Sequence, residues 1–191
     1  MNVAALVLAA SLAQAGDPAP AACPDELLRI ARSKNANVVV YEANRSGSGG
    51  LDADHPVRAS WIMLAEQGQR EGLNFFEKLL AYGFDVRSAA PDAGYLLRLK
   101  ARKDQVIRVV EHRGCPAAMS DIGGRQGILK RIYVQAEDGQ LIPPVLYVEL
   151  FGTDAATGAP LYDKIVPDPG QQVASLADIR EGRRGGVAGT R

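Results

Sequence analysis

The sequence predicts a mainly β protein, an antiparallel β-sandwich or barrel-like sheet with one inserted α-helix. Its apolar segments are short, rich in β-branched and aromatic residues, and bounded by Gly, Pro, Asp or Asn. The stretches between them are also short and turn-forming, which favours hairpins over helical crossovers. The predicted strands cover residues 38–43, 57–64, 95–101, 106–111, 128–136, 145–151 and 161–166.

Alternation supports two of these strands directly. In segment 95–101, apolar side chains at the odd positions alternate with Arg98 and Lys100. Further along the chain, Ile132 and Val134 alternate with polar or aromatic neighbours. A period of two places one set of side chains on each face of a sheet, so both segments suit strands with one buried face.

One segment, EGLNFFEKLLAYG at residues 71–83, has the helical period instead. Gly83 provides a C-terminal stop. The apolar stripe predicts that this helix plugs one end of the sheet or lies against one face, and it comprises Leu73, Phe76, Leu79 and Leu80.

The preceding segment, PDELLRIAR at residues 24–32, fits two structures. Pro24 and Asp25 are typical of a helix start. Leu28 and Ile30, however, alternate with other residues as they would in a strand. The residues alone leave both alternatives open.

The first fifteen residues of the chain predict an exported protein. Residues 1–15, MNVAALVLAASLAQA, contain no charged side chain and end in an A-x-A motif, which is typical of a signal peptide. The apolar run is about eleven residues long, whereas a membrane span needs roughly twenty, so no transmembrane span is expected. The alternative is an apolar tail without an export function. We expect a periplasmic or secreted protein with a linker at 16–26, one β-rich domain at 27–166 and a disordered tail at 167–191.

Composition excludes one class of partner. The 22 basic and 22 acidic residues cancel, so the chain has no overall positive field to attract nucleic acid. Any charged ligand must therefore be bound by a local group of side chains.

The two cysteines, Cys23 and Cys115, allow a single disulfide bond in an oxidising compartment. The alternatives are two unpaired thiols or a lipid anchor at Cys23, and the PAAC sequence lacks the Leu expected for an anchor. Neither cysteine has the spacing of a metal site, and we expect no metal and no cofactor.

Several motifs together resemble a family. They are the R-S-K-N-x-N entry from Arg32, the WIMLAEQG segment from Trp61, and EKLLAYG from Glu77. On these motifs the chain is similar to a bacterial family known only as a domain of unknown function, number forty-eight thirty-three, over residues 27–166. The resemblance implies no activity, cofactor or catalytic residue. It does imply that residues 27–32 form the first strand of a hairpin.

The stretch RSKNAN, residues 32–37, is the main candidate for a binding site. As a hairpin turn it would use asparagine for positive φ and for side-chain to backbone hydrogen bonds. A turn does not require Arg32 or Lys34, so we also expect a site for a small polar or anionic ligand. The predicted ligand-binding residues are Arg32, Lys34, Asn35, Asn37, Trp61, Glu66 and Lys100. An aromatic residue such as Trp61 lining a cavity would favour small-molecule binding.

Other polar groups suggest weaker alternatives. Asp52, Asp54 and His55 share a Gly-rich loop, but they lack the spacing of a calcium loop. His112 is the second of two histidines, so any histidine site has at most these two members. A hydrolase-like enzyme would use Glu66 or His55 as its acid or base.

Three functions are therefore carried forward. The first is a non-enzymatic binding module for a small polar or anionic ligand. The second is the hydrolase-like enzyme, with no catalytic residue established. The third is an envelope structural or interaction protein, which should present an exposed apolar patch and form a concentration-dependent dimer.

Overall fold

The computed structural model describes residues 23–47, 49–80, 82–90, 93–137 and 144–167, and confirms a mainly β fold with one short helix. The predicted signal peptide, most of the linker and nearly all of the tail lie outside the described residues. Helix α1 covers Phe75–Leu80, and a 3₁₀ turn covers Leu64–Glu66. The strands are β1 (Glu26–Arg32), β2 (Val38–Ala43), β3 (Val57–Met63), β4 (Gln69–Gly72), β5 (Phe84–Ser88), β6 (Tyr95–Leu99), β7 (Arg102–His112), β8 (Cys115–Ile122), β9 (Arg125–Ala136), β10 (Val145–Asp154) and β11 (Pro160–Ile165).

Strand β9 organises the sheet. Along one edge it pairs antiparallel with β8 at residues 125–128 and parallel with β1 at residues 131–134. Along the other edge it pairs antiparallel with β10, which in turn pairs with β11. Because β8 and β1 share one edge of β9, the sheet divides there into two arms, β1 to β4 and β8 to β5. The parallel pairing of β1 makes this a mixed sheet rather than a purely antiparallel one.

The two arms curl toward each other around the core. Tyr41 of β2 contacts Phe84 of β5 edge to face, with ring centroids 5.6 Å apart. Trp61 of β3 contacts Tyr82 in the same way at 4.9 Å. Fully buried side chains come from both arms and from the strands between them, including Leu28, Tyr41, Leu97, Ile107, Leu129 and Leu150.

Strand β1 resolves the ambiguity of residues 24–32 in favour of a strand. A bulge lies between Glu26 and Leu28 in the pairing with β2, and both Leu27 and Leu28 are buried in the core. Two adjacent apolar residues break the period of two and look helical in sequence, and a bulge accommodates both of them on one face. Pairing with β2 and β9 then outweighs the local helix propensity.

Helix α1 differs from the sequence prediction in position and orientation. Asn74 and Glu77 cap its start reciprocally, with each side chain accepting a hydrogen bond from the other residue's backbone N–H at 2.8 to 2.9 Å. Leu73, just before the helix, is buried, but Phe76 and Leu79 are 66% and 51% exposed. The prediction that Phe76 and Leu79 pack on the sheet is therefore wrong. The helix has only six residues, and among the described side chains of the apolar stripe the buried one is Leu73, which precedes the helix.

The β10–β11 connection is held by one carboxylate. Asp154 Oδ1 accepts hydrogen bonds from the backbone N–H groups of Ala156 and Thr157 and from the Thr157 hydroxyl. Arg125 donates to Asp154 Oδ2 at 2.7 Å. The hydrogen bonds from Thr157 and then Arg125 lower the pKa of Asp154 to about 2, so the carboxylate stays ionised and keeps this turn in place at neutral pH.

A disulfide bond joins Cys23 to Cys115, whose Cα atoms lie 5.4 Å apart. It fixes the residues before β1 to the start of β8, on the opposite arm of the sheet. Within the described part of the chain, no helix has the length and apolar character to cross a membrane.

Candidate functional site

The turn between β1 and β2 has a well-defined conformation. The backbone N–H of Asn35 donates to the Arg32 carbonyl at 3.2 Å, and Asn35 Oδ1 accepts from the backbone N–H of Asn37 at 2.9 Å. The side-chain to backbone bond expected of an asparagine is therefore present. The positive φ is not on an asparagine, however, since Lys34 adopts it with a φ of 60°. Lys34 thus has a backbone role in the turn.

Ser33 attaches this turn to the centre of the sheet. Its backbone N–H donates to the Val134 carbonyl at 2.9 Å, and its hydroxyl accepts from the backbone N–H of Ala136 at 3.1 Å. Both partners belong to β9. The turn is therefore held at both its backbone and its side chain, and it presents Asn35 and Asn37 from a fixed position.

A shallow open pocket of about 310 Å³ lies beside the turn. The β1–β2 turn, strands β3 and β4, and the start of α1 form its walls. Its lining residues are Asn35, Asn37, Trp61, Met63, Glu71, Gly72, Asn74 and Glu77. Three of these, Asn35, Asn37 and Trp61, belong to the site expected from sequence.

Trp61 is the half-buried aromatic residue of this pocket. In the register of β3 with its neighbours it lies opposite Val39 of β2 and Glu71 of β4. Tyr82 packs edge-on against it, and the Tyr82 backbone carbonyl accepts a hydrogen bond of 2.8 Å from the Tyr41 hydroxyl. The buried Tyr41 thus holds the backbone of Tyr82 in place, and the Tyr82 ring packs against the indole of Trp61.

Arg32 is also close to this group, through Tyr82. Burial raises the pKa of the Tyr82 hydroxyl, and the nearby Glu77 carboxylate raises it further. The Arg32 guanidinium, hydrogen-bonded to that hydroxyl, acts to lower the pKa of Tyr82. Arg32 is therefore engaged at the border of the pocket rather than lining it.

The polar groups of the pocket combine donors and acceptors. The side-chain oxygens of Asn35 and Asn74 each accept a backbone hydrogen bond at 2.9 Å, which leaves their Nδ2 groups as donors. Within the part of the chain that the structure describes, the buried Oδ1 atom of Asn37 has no hydrogen-bond partner. A buried acceptor without a partner costs free energy, so a ligand hydroxyl or amide that reached it would be stabilising.

The other expected site residues do not line the pocket. Lys34 is exposed in the turn, and Glu66 is exposed in the 3₁₀ turn. Lys100 lies beside Asp85, with 4.0 Å between Nζ and Oδ1. Glu71, Asn74 and Glu77 were not expected from the sequence. The N-x-x-E spacing of the helix cap was the one available signal for two of them.

The acidic loop before β3 has a structural explanation. Asp52 Oδ1 accepts hydrogen bonds from the backbone N–H groups of Asp54 and His55, at 3.0 and 2.7 Å. Asp52 therefore shapes its own loop.

His112, at the end of β7, pairs in register with Cys115. Among the described residues, no group of three or more His, Cys, Asp or Glu side chains is arranged to hold a metal ion.

A larger open groove of about 590 Å³ lies between β7, β8 and β11. Its main polar groups pair with each other. Arg102 forms two hydrogen bonds with Asp104, and Gln105 donates to the buried Ser120 hydroxyl at 2.6 Å. Among the residues that the structure describes, no aromatic side chain lines this groove. We therefore prefer the smaller Trp61 pocket, where an aromatic surface meets polar groups with bonding capacity left.

Comparison with known proteins gives one match. No curated protein and no solved structure is significantly similar to the chain. The family model described as a domain of unknown function, DUF4833, matches residues 28–164. This match covers nearly all of the described β domain and confirms the resemblance found in the sequence motifs, so the chain belongs to the DUF4833 family.

Proposed function

We propose that the domain is a non-catalytic binding module that holds a small polar ligand in the Trp61 pocket. The observation that supports this most directly is that a half-buried indole lies among amide and carboxylate side chains in one pocket. Binding sites for small molecules combine an aromatic surface with a few polar groups that fix orientation. A fixed turn, a capped helix start and the Tyr41–Tyr82 hydrogen bond hold these groups in place.

Charge favours a neutral polar ligand over an anionic one. The ionisable groups that line the pocket are the carboxylates of Glu71 and Glu77. None of the three predicted cationic residues, Arg32, Lys34 and Lys100, lines the pocket. An anion in the pocket would be repelled by both carboxylates at short range.

The positions of Glu66 and His55 do not support the hydrolase-like alternative that would use them. Glu66 and His55 are both exposed, and neither lines the Trp61 pocket. General acid or base catalysis requires a side chain within hydrogen-bonding reach of the bound substrate. A ligand held in this pocket has neither residue beside it.

Native mass spectrometry of the gently purified protein tests this function. We expect a reproducible excess mass on the wild-type monomer, absent from the denatured protein and strongly reduced in Asn37→Ala and Trp61→Phe. Lys34→Ala is the matched control, because it changes the same turn without altering the pocket lining. A bare wild-type monomer, or an adduct that both pocket variants retain in full, would count against the proposal.

A second candidate function, an interaction protein of the cell envelope, is favoured by the exposed apolar surface of α1. Phe75, Phe76 and Leu79 are 71%, 66% and 51% exposed. Such a surface is typical of protein contacts. We expect sedimentation velocity to show a concentration-dependent dimer that the double variant Phe75→Ser, Phe76→Ser lacks. A wild-type chain that remains monomeric at every concentration would exclude self-association through this surface.

A further inference from the structure

We infer that the ligand of the Trp61 pocket is a saccharide, with one sugar ring stacked on the indole and its hydroxyl groups bonded to the surrounding amides and carboxylates. This inference rests on the proposed binding function and names the chemical class of the ligand. It draws on the shape of the pocket, the chemistry of its aromatic surface and the balance of its donors and acceptors.

The indole provides a surface that suits a sugar ring. The face of an aromatic ring carries partial negative charge, which attracts the weakly positive C–H groups on one face of a pyranose. Trp61 is held edge-on by Tyr82 and flanked in register by Glu71. The ring of Trp61 is thereby fixed beside a carboxylate, so stacking and hydrogen bonding act on the same ligand.

Size limits the part of the ligand that can be enclosed. The pocket volume of about 310 Å³ is at the lower end of the range for ligand sites, about 300 to 1,000 Å³. Gly72, at the edge of the pocket, has no side chain. No heavy atom lies within 4 Å of the position that its Cβ would occupy, so the space there is open. One ring fits within the pocket, and an attached chain can leave over Gly72.

The hydrogen-bonding groups match hydroxyls better than they match an ion. The pocket offers amide donors on Asn35 and Asn74 and carboxylate acceptors on Glu71 and Glu77. A hydroxyl both donates and accepts, so a polyol can satisfy both kinds of group. An alkylammonium ion has no acceptor for the amide N–H groups, and a phosphate anion is repelled by the two carboxylates of the pocket.

Intrinsic fluorescence gives a direct test, because Trp61 is the single tryptophan of the chain. The protein is titrated with glucose, galactose, mannose and N-acetylglucosamine, and separately with ethylamine and inorganic phosphate at constant ionic strength. We expect a saturable change in emission with at least one sugar and with neither ion. Asn37→Ala and Glu71→Gln should each weaken sugar binding about tenfold or more, because the first removes an amide from the pocket lining and the second replaces a charged acceptor with a neutral amide.

Arg108→Ala is the control, because Arg108 lines the other groove. Circular dichroism of each variant separates weaker binding from loss of the fold. Saturation by ethylamine or phosphate alone would overturn the saccharide inference and leave a binding function in place. A purified protein that carries no adduct in native mass spectrometry and responds to none of the probes would overturn both. Sugar binding that Asn37→Ala and Glu71→Gln leave unchanged would place the saccharide elsewhere and overturn the inference.

Discussion

Loss of the Cys23–Cys115 disulfide is expected to lower the free energy of unfolding by about 4 to 5 kcal/mol. The two cysteines are separated by 92 residues in sequence, so the bond closes most of the β domain into one loop. A long closed loop restricts the unfolded chain strongly, and the reduced chain regains that freedom. Urea unfolding of the oxidised protein, the reduced protein and the Cys23→Ser, Cys115→Ser variant measures the difference.

The reduced protein and the double serine variant should agree, because both lack the same covalent link. Their urea dependence should also be steeper than that of the oxidised protein, since an unfolded chain without the bond exposes more surface. A loss below about 1 kcal/mol would show that the reduced unfolded state is already compact, against the chain-entropy account. Loss of the disulfide should also destabilise β1, because this strand immediately follows Cys23 and pairs in parallel with β9.

The sequence predicted most strands because their residues alternate or are β-branched, but it did not predict β4 and β5. Strand β5 alternates, with Phe84 and Val86 each followed by a polar residue, but it is only five residues long. Strand β4 has the sequence QREG and is exposed throughout, so it has no apolar face to recognise. It exists because β3 offers it an edge to pair with. The parallel pairing of β1 with β9 was equally hidden, since no local pattern connects residues 29–32 with residues 131–134.

Helix α1 illustrates a different limit. The helical period of residues 71–83 correctly indicates a helix, but the same period was used to predict burial, and the exposure of Phe76 and Leu79 contradicts that step. Amphipathicity shows which face of a helix is apolar. It does not show that the rest of the fold covers that face.

The candidate site was partly predictable for the same reasons. Asn35 and Asn37 could be placed in a turn because asparagine is typical of turns. Trp61 could be singled out because it is the single tryptophan of the chain. Glu71 and Asn74 reach the pocket only because β4 and the start of α1 follow β3 around its edge. Lys34 attracted attention for its charge, yet in the structure its backbone conformation shapes the turn. Charge identity was a weaker guide to the site than the geometry that places each side chain.

Replacing the buried Tyr41 is expected to destabilise the domain by an amount that depends on which part of the side chain is removed. Its side chain is fully buried, burial raises the pKa of its hydroxyl, and that hydroxyl donates to the Tyr82 carbonyl at 2.8 Å. Tyr41→Ala removes the ring and should cost about 3 to 5 kcal/mol, as large aromatic truncations in cores do. Tyr41→Phe keeps the ring but leaves the Tyr82 carbonyl without its donor, at a cost of about 1 to 3 kcal/mol. Urea unfolding measures both.

The phenylalanine variant also tests how the core supports the pocket. If the Tyr41–Tyr82 hydrogen bond holds Tyr82 against Trp61, then Tyr41→Phe should change the Trp61 emission of the folded protein. Tyr162→Phe is the matched control, because its hydroxyl also donates a hydrogen bond, to Glu149, but its side chain is 53% exposed on β11. That variant should change neither stability nor emission appreciably. Unchanged emission in Tyr41→Phe would mean that Tyr82 is positioned without this hydrogen bond, through contacts such as its ring packing on Trp61 and the 2.9 Å hydrogen bond from its backbone N–H to the Glu77 carbonyl.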